Sequence, residues 1–387
     1  MIDVIVIGAG PAGTSCAKRL AENGFSVKVF DRRAELGNPK RCGEGLSENA
    51  QDLVGKIPER CIAQRIKGAR LYAPNGRYLE AILDYGGFIL ERKVFDKWLA
   101  EEAIRAGAEI QSNTFISSLV KNDSYFTGVK GEFLGDEFEE KSKMIVCATG
   151  AESPLRKQAL GIFSQMNLID SCLQYEMSGI DIDSDFIHIY LGNENLAPRG
   201  YVWVFPKGKE RANVGVGIIP SEKKPRFYLE KFLKSHPEIR KGSIIEVNAG
   251  CVPVGGMVKD MVTNGFLVCG EAAHHVNPIH GGGIKEAIVS GQMAADVISD
   301  CLKKNDVSKK ALSKYNDLWW EKRGNHLKKV EKLREVLEKL SDADLNDLVD
   351  ALKPADIIEF SRGSKLSILA KALMRKPKLV TLAKHLL

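Results

Sequence analysis

Residues 1–31 read MIDVIVIGAGPAGTSCAKRLAENGFSVKVFD, and this stretch decides the fold. Asp3 to Ile7 is a short run of β-branched apolar residues, the pattern of a strand buried on both faces. Gly8, Gly10 and Gly13 follow at the spacing of a dinucleotide-binding turn. The first permits the tight turn, the second admits a pyrophosphate against bare backbone, and the third lets the helix pack close to the strand. Ala12 lies inside the same turn. The free N–H groups at the start of the helix, with its dipole, hold phosphates. A second apolar run, Val27 to Phe30, ends at Asp31, 18 residues beyond Gly13, where an acid accepts hydrogen bonds from an adenosine ribose. A Gly-rich triplet alone is a weak signal; strand, glycines, helix, strand and terminal acid in order are a strong one.

Working outward, a chain of 387 residues has room for two or three domains. Composition is that of a globular protein, 44% hydrophobic and 27% charged, and the net charge of +6 sets no partner by itself. Nucleic acid is not expected. The eight cysteines contain no CxxC pair, which argues against zinc and iron–sulfur sites and for reduced intracellular thiols. The first strand begins at once, so no signal peptide is expected, and no apolar run is long enough to span a membrane.

Beyond Asp31, residues 32–47 are rich in Gly, Pro and charge and read as a loop. It contains Arg41-Cys42-Gly43-Glu44-Gly45, whose glycines let the backbone pass close to a flat ligand. Arg41 and Lys40 beside Cys42 are expected to lower its pKa, making it a candidate catalytic thiol. Residues 65–87 read as short strands around an Asn75-Gly76 turn. A helix follows, with Val94, Trp98, Leu99 and Ala103 on one face and Arg92 at its start; Gly107 stops it. A meander of short strands runs from Glu109 to about Glu140. Met144 to Ala148 is a further buried strand, ending at Thr149-Gly150.

From Leu168 to Val254 the pattern changes to repeated strands with one helix near Phe227 to Ser235, read as an inserted, largely antiparallel domain. Within it Tyr201, Trp203 and Phe205 alternate on one strand face, as ordinary core or as the apolar wall of a pocket. Gly265 to Cys269 and the following Gly270-Glu271-Ala-Ala-His274 return to the strand–glycine–helix pattern. Gly281 to Gly283 then expose N–H groups before a long helix beginning at Ile284. His274, His275 and His280 are not at a metal-ligand spacing, so no metal is expected. The rest reads as helical. Its last part, Ser361 to Leu387, holds seven Lys or Arg and no acid, which fits a solvated core helix or an in-plane helix on an anionic membrane.

In these motifs the chain resembles the geranylgeranyl reductase family of FAD-dependent flavoproteins, most closely its branch acting on digeranylgeranylglycerophospholipids in archaeal-type lipid synthesis. GAGPAG with Asp31, the Cys42-Gly43 loop, Arg92, the PxxYxWxFP pattern from Pro198 to Pro206, and Gly270-Glu271 with Gly281–Gly283 carry the resemblance. It departs at Glu271, where many relatives have Asp, and at Thr149-Gly150, where the wider hydroxylase superfamily has Asp-Gly. The resemblance implies an α/β fold. A discontinuous Rossmann-like FAD domain (1–64, 88–167 and 255–302) would carry an antiparallel-sheet substrate domain (65–87 and 168–254) and a helical region (303–387). It implies FAD contacts at Ala12, Asp31, Cys42, Gly43, Gly45, Arg92, Ile116, Glu271, Gly283 and Ile284. Tyr201, Trp203 and Phe205 would line the substrate pocket.

The implied activity is saturation of C=C bonds in geranylgeranyl chains of a glycerophospholipid, at the inner face of the cell membrane, by a peripheral cytoplasmic enzyme. NAD(P)H, a deazaflavin and ferredoxin all stand as electron donors, because no second Gly-rich βαβ unit is present. The alternatives on the same fold are a hydroxylase or halogenase-like enzyme. A membrane-surface flavin electron carrier is a third, although nothing after Cys301 could ligate an iron–sulfur cluster.

Overall fold

The computed structural model describes residues 2–356. The basic segment Ser361–Leu387, for which a membrane-surface helix is one expectation, lies outside the described residues.

The chain opens with β1 (Ile2–Ile7), α1 (Pro11–Glu22) and β2 (Val27–Phe30). Next come β3 (Gly45–Ser47), β4 (Ile62–Tyr72), β5 (Tyr78–Leu90) and α2 (Arg92–Arg105). β6 (Glu109–Gln111), β7 (Thr114–Asn122), β8 (Tyr125–Phe133) and β9 (Asp136–Cys147) follow. Then β10 (Ile169–Ser178), β11 (Phe186–Leu191), β12 (Tyr201–Pro206) and β13 (Arg211–Ile218) lead to α3 (Pro225–Ser235) and β14 (Ser243–Pro253). β15 (Val262–Thr263), β16 (Phe266–Val268), α4 (Ile284–Lys303), α5 (Asn325–Leu337) and α6 (Asp342–Ala351) complete the framework.

Two sheets result. The first runs β15-β16-β9-β1-β2-β6, parallel from β16 to β6. β1 lies at its centre, and Val4, Ile5 and Val6 are wholly buried, as a strand covered on both faces requires. α1 and α4 pack together closely enough that a Cβ at Gly291 would lie 2.2 Å from the Ala12 carbonyl oxygen. The last strand of the meander, expected to end near Glu140, and the strand expected from Met144 are one element, β9. β9 pairs with β8 through its first half and with β1 through its second.

The second sheet runs β14-β10-β13-β12-β11-β4-β5-β3 and is antiparallel except between β11 and β4. It reaches further than residues 65–87. β4 and β5 are long strands, and Gly45–Ser47, read as loop, pairs with β5 at the sheet edge. Three residues are too few to show a period of two. Alternation sorts the two faces. Tyr175, Met177, Val202, Val204, Val214 and Val216 form a core with Leu229 and Phe232 of α3. Gln174, Glu176, Trp203 and Asn213 stand on the opposite face, toward the Cys42 loop. On α2 the buried face centres on Phe95, Trp98 and Leu99, with Val94 only partly covered.

Candidate active site

The three fingerprint glycines meet three different demands. Gly8 has φ +104°, and a Cβ there would lie 2.4 Å from the Ala148 carbonyl oxygen. At Gly13 it would lie 1.8 Å from the Gly8 oxygen, so only glycine lets α1 begin so close to β1. At Gly10 nothing stands within 4 Å: this backbone faces open space, as approach of a pyrophosphate requires. Gly10 caps α1 with no side-chain bond, leaving the first N–H groups for an anion. Asp31 is buried and accepts from Ala9 N at 2.7 Å and from the Arg33 side chain at 2.8 and 2.7 Å. Burial alone would raise its carboxyl, but the Arg33 guanidinium and the two backbone donors hold it below the ordinary range. Ile116 on β7 borders this end of the cleft.

The Cys42 loop crosses the cleft between the sheets. Phe205 packs against it: a Cβ at Gly43 would be 2.9 Å from the Phe205 ring, and one at Gly45 3.4 Å. Cys42 does not have the cations expected for it. Arg41 reaches Glu152 at 3.3 Å, and Lys40 is buried among Glu44 and Glu176. Burial pushes the Cys42 thiol up, and the cation that partly offsets this is Arg92. The thiol is therefore protonated at neutral pH, the opposite of an activated nucleophile.

Arg92 is held by Asp96 through two bonds of 2.8 and 3.0 Å. Burial opposes its charge and the Asp96 carboxylate restores it. Asp96, almost wholly buried, also lies 3.7 Å from Arg33 and so orients both guanidinium groups. Glu271 sits in the turn after β16. Burial raises its carboxyl to about 7 despite the Ala151 N–H and the nearby Arg92. Gly283 caps α4 without a side-chain bond, so a second helix N-terminus, with Ile284, opens onto the same space.

The three histidines diverge. His274 bonds to Ser164 and the Gly255 carbonyl, His275 stacks on Trp319 at 3.7 Å, and His280 accepts from Gly282 N.

Gly8, Gly10, Asp31, the Cys42 loop, Arg92, Glu271, His280 and Gly283 border one cavity of about 1820 Å³. Single small-molecule pockets are about 300–1,000 Å³, so this one has room for a dinucleotide and a second, long ligand. Past the loop its wall is Tyr201, Trp203 and Phe205. Tyr201 Oη donates to the His280 carbonyl at 2.7 Å, and Trp203 Nε1 donates to Gln174 at 2.9 Å. Farther on come Ile66, Leu71, Ile189 and Leu191 of the second sheet and Leu345 and Leu348 of α6. The 16 residues singled out from sequence therefore divide between the two ends of the cleft and the wall joining them, except Gly13, which acts on packing.

Sequence reading missed Asp96, Arg33 and a buried cluster under the loop. In it Glu44 and Glu176 meet Lys40 and Lys207. A Lys or Glu in a loop reads as solvated unless its distant partners are known.

Residues 169–252 match the geranylgeranyl reductase catalytic domain family, and residues 2–176 match the pyridine nucleotide-disulphide oxidoreductase family. The digeranylgeranylglycerophospholipid reductase 2 of Methanopyrus kandleri is 37% identical, covering 100% of this chain and 99% of its own. The digeranylgeranylglycerophospholipid reductase of Methanocella arvoryzae is 38% identical, covering 98% and 97%. The crystal structure of a geranylgeranyl bacteriochlorophyll reductase-like protein from Thermoplasma acidophilum superimposes with a TM-score of 0.90 at 33% identity, covering 100% and 99%. A flavin-dependent brominase shares the fold alone, with a TM-score of 0.75 at 18% identity over 97% and 99%. The open Gly10 backbone, the buried Asp31 and the two uncapped helix N-termini fit FAD, which is the cofactor. The chain belongs to the geranylgeranyl reductase family of FAD-dependent oxidoreductases.

Proposed function

We propose that this protein saturates the C=C bonds of geranylgeranyl chains on digeranylgeranylglycerophospholipids. The observation that carries this reading is the continuity of the cavity. The space beside the Gly10 and Gly283 backbones runs past Cys42 and Trp203 into a chamber walled by Ile66, Leu71, Ile189, Leu191, Leu345 and Leu348. Such a chamber takes a flexible hydrocarbon chain, and the polar Asn193, Arg199, Arg334 and Glu338 on the same lining are bonded to protein partners.

When bound and reduced, FAD would supply a hydride, two electrons with one proton, for one alkene carbon. The residues of this chain provide the rest. Trp203 and Phe205 exclude water and press the chain toward the Cys42 loop, so that an isolated double bond is held in one orientation. The other alkene carbon needs a proton. Cys42, protonated at neutral pH and half-buried in the wall, is the donor this geometry favours. Arg92, charged and fixed by Asp96, faces the thiol and stabilises the thiolate left behind. The substrate resides in a membrane, so the enzyme works at its surface; among the described residues no helix is long and apolar enough to cross one.

The test is anaerobic. The FAD-loaded protein is reduced chemically, given a digeranylgeranylglyceryl phospholipid, and the product is weighed by mass spectrometry. Gain of hydrogen without oxygen supports the reading. An untouched lipid, with an oxygen-containing product once air and NADPH are supplied, moves the protein to the hydroxylase class.

A further inference from the structure

Glu44 is wholly buried, one residue from Gly43 in the loop that carries Cys42, and its backbone lies in the left-handed region at φ +75°. Side chains seldom adopt that conformation without something enforcing it. Here every polar atom of the residue is used. Its N–H donates to Cys42 Sγ at 3.2 Å, and its carbonyl accepts from Leu90 N at 2.9 Å. Oε1 accepts from Arg92 N at 2.8 Å, capping α2 from a distance in place of a local cap residue. Oε2 accepts from Lys207 Nζ and Asn213 Nδ2, each at 2.7 Å, and from Lys40 Nζ at 3.3 Å.

The neighbouring residues are tied in the same way. Asn213 also donates to the Gly43 carbonyl at 3.2 Å, and Gln174, which holds Trp203, donates to the Cys42 carbonyl at 3.3 Å. Glu176, Glu91 and Arg211 complete the charge balance around Lys207. A buried ion cluster is a weak source of stability, because apolar packing of equal volume does as well. Directional bonds to chosen atoms are what apolar packing cannot supply.

We propose that Glu44 is a positioning residue: it fixes the Cys42–Gly43 segment by bonding at once to α2, to β13 and to the buried lysines beneath the loop. Its consequence for turnover rests on the alkene-reductase reading; its consequence for the thiol does not.

The test uses the FAD-loaded full chain with Glu44→Gln. A double variant, Glu44→Gln with Lys207→Met, removes one charge of each sign and keeps the test alive if the single variant fails to fold. Alkylation of Cys42 by iodoacetamide is followed by peptide mass mapping, beside kcat per bound flavin and KM for the lipid. Alkylation should quicken by about fivefold or more, because the loop is freed and an anion beside the thiol is gone. Turnover per bound flavin should fall by about tenfold with KM little changed. Alkylation within about twofold of the parent in a folded variant overturns the proposal, and so does faster alkylation with unchanged kcat. If the parent reduces no lipid, the reductase reading fails and alkylation alone decides for or against Glu44.

Discussion

Arg33 closes on Asp31 as a fork, Nε to Oδ1 at 2.8 Å and Nη2 to Oδ2 at 2.7 Å. With Ala9 N and Arg33 N also donating, the four acceptor sites of the carboxylate are filled. Ribose hydroxyls bonding to Asp31 would compete with the guanidinium, which also lies 3.7 Å from Asp96. Asp31→Asn should weaken FAD binding by about tenfold or more, the equivalent of one charge-assisted hydrogen bond. Arg33→Met should leave affinity equal or improved. Quenching of flavin fluorescence on titration measures both, and a loss in Arg33→Met as large as in Asp31→Asn would show that Arg33 holds FAD directly.

Glu271 gives a pH dependence of definite sign. Its carboxyl is raised from 4.5 to about 7 by burial, so between these values the folded chain binds more protons than the unfolded one. The contribution of Glu271 to stability therefore falls as pH rises through that window and is level above it. The shift corresponds to at most about 3 kcal/mol, reduced by the group's partial contact with the cavity. His188, His274, His275 and His280 are pushed down by desolvation and act in the opposite sense over the same range. Glu271 is therefore read from the difference between two melting profiles of the FAD-free protein from about pH 4.5 to 8: Glu271→Gln should gain stability relative to the parent as pH rises to about 7. Parallel profiles would show that Glu271 contributes no such dependence.

What could be read from sequence follows the range of the interactions. Gly8, Gly10, Gly13 and Asp31 lie within one βαβ unit, so their spacing carries the geometry of the turn they build. Gly283 and Ile284 were legible for the same reason: a helix start is a local event. Glu44 was not, because its partners Lys207 and Asn213 are 163 and 169 residues away, and in sequence it is one charge in a charged loop. Cys42 shows the error this produces. Its sequence neighbours Lys40 and Arg41 turn to carboxylates elsewhere, and the cation it meets comes from α2. The aromatic stripe of β12 is visible as a period of two, which leaves ordinary core and pocket wall both open; the resemblance favours the wall, and the three rings border the cavity.

If Cys42 donates the proton, Cys42→Ser keeps size and hydrogen bonding and removes the acidic hydrogen. Its single-turnover rate with pre-reduced flavin should fall by about a hundredfold, the scale of a lost general acid. FAD content and lipid KM should hold. A residual rate within about threefold of the parent would exclude Cys42 as the donor. The next group to examine would be Tyr201, whose hydroxyl borders the same space.

Gly215 of β13 pairs with Trp203 of β12, and a Cβ there would lie 2.2 Å from the indole. The ring is nearly buried and tied to Gln174, so Gly215→Ala must either tilt the indole into the cavity or spread the strands. The cost should be about 1–3 kcal/mol in stability, as for other overpacked sites. A tilted indole narrows the channel beyond the loop, so KM for the lipid should rise severalfold with a smaller change in FAD affinity, since the Gly8–Gly13 turn and Asp31 belong to the other sheet. Shortened isoprenoid chains should be less affected than full-length ones. Equal losses for both would mean that the indole acts on the flavin side of the loop and not on the passage of the chain.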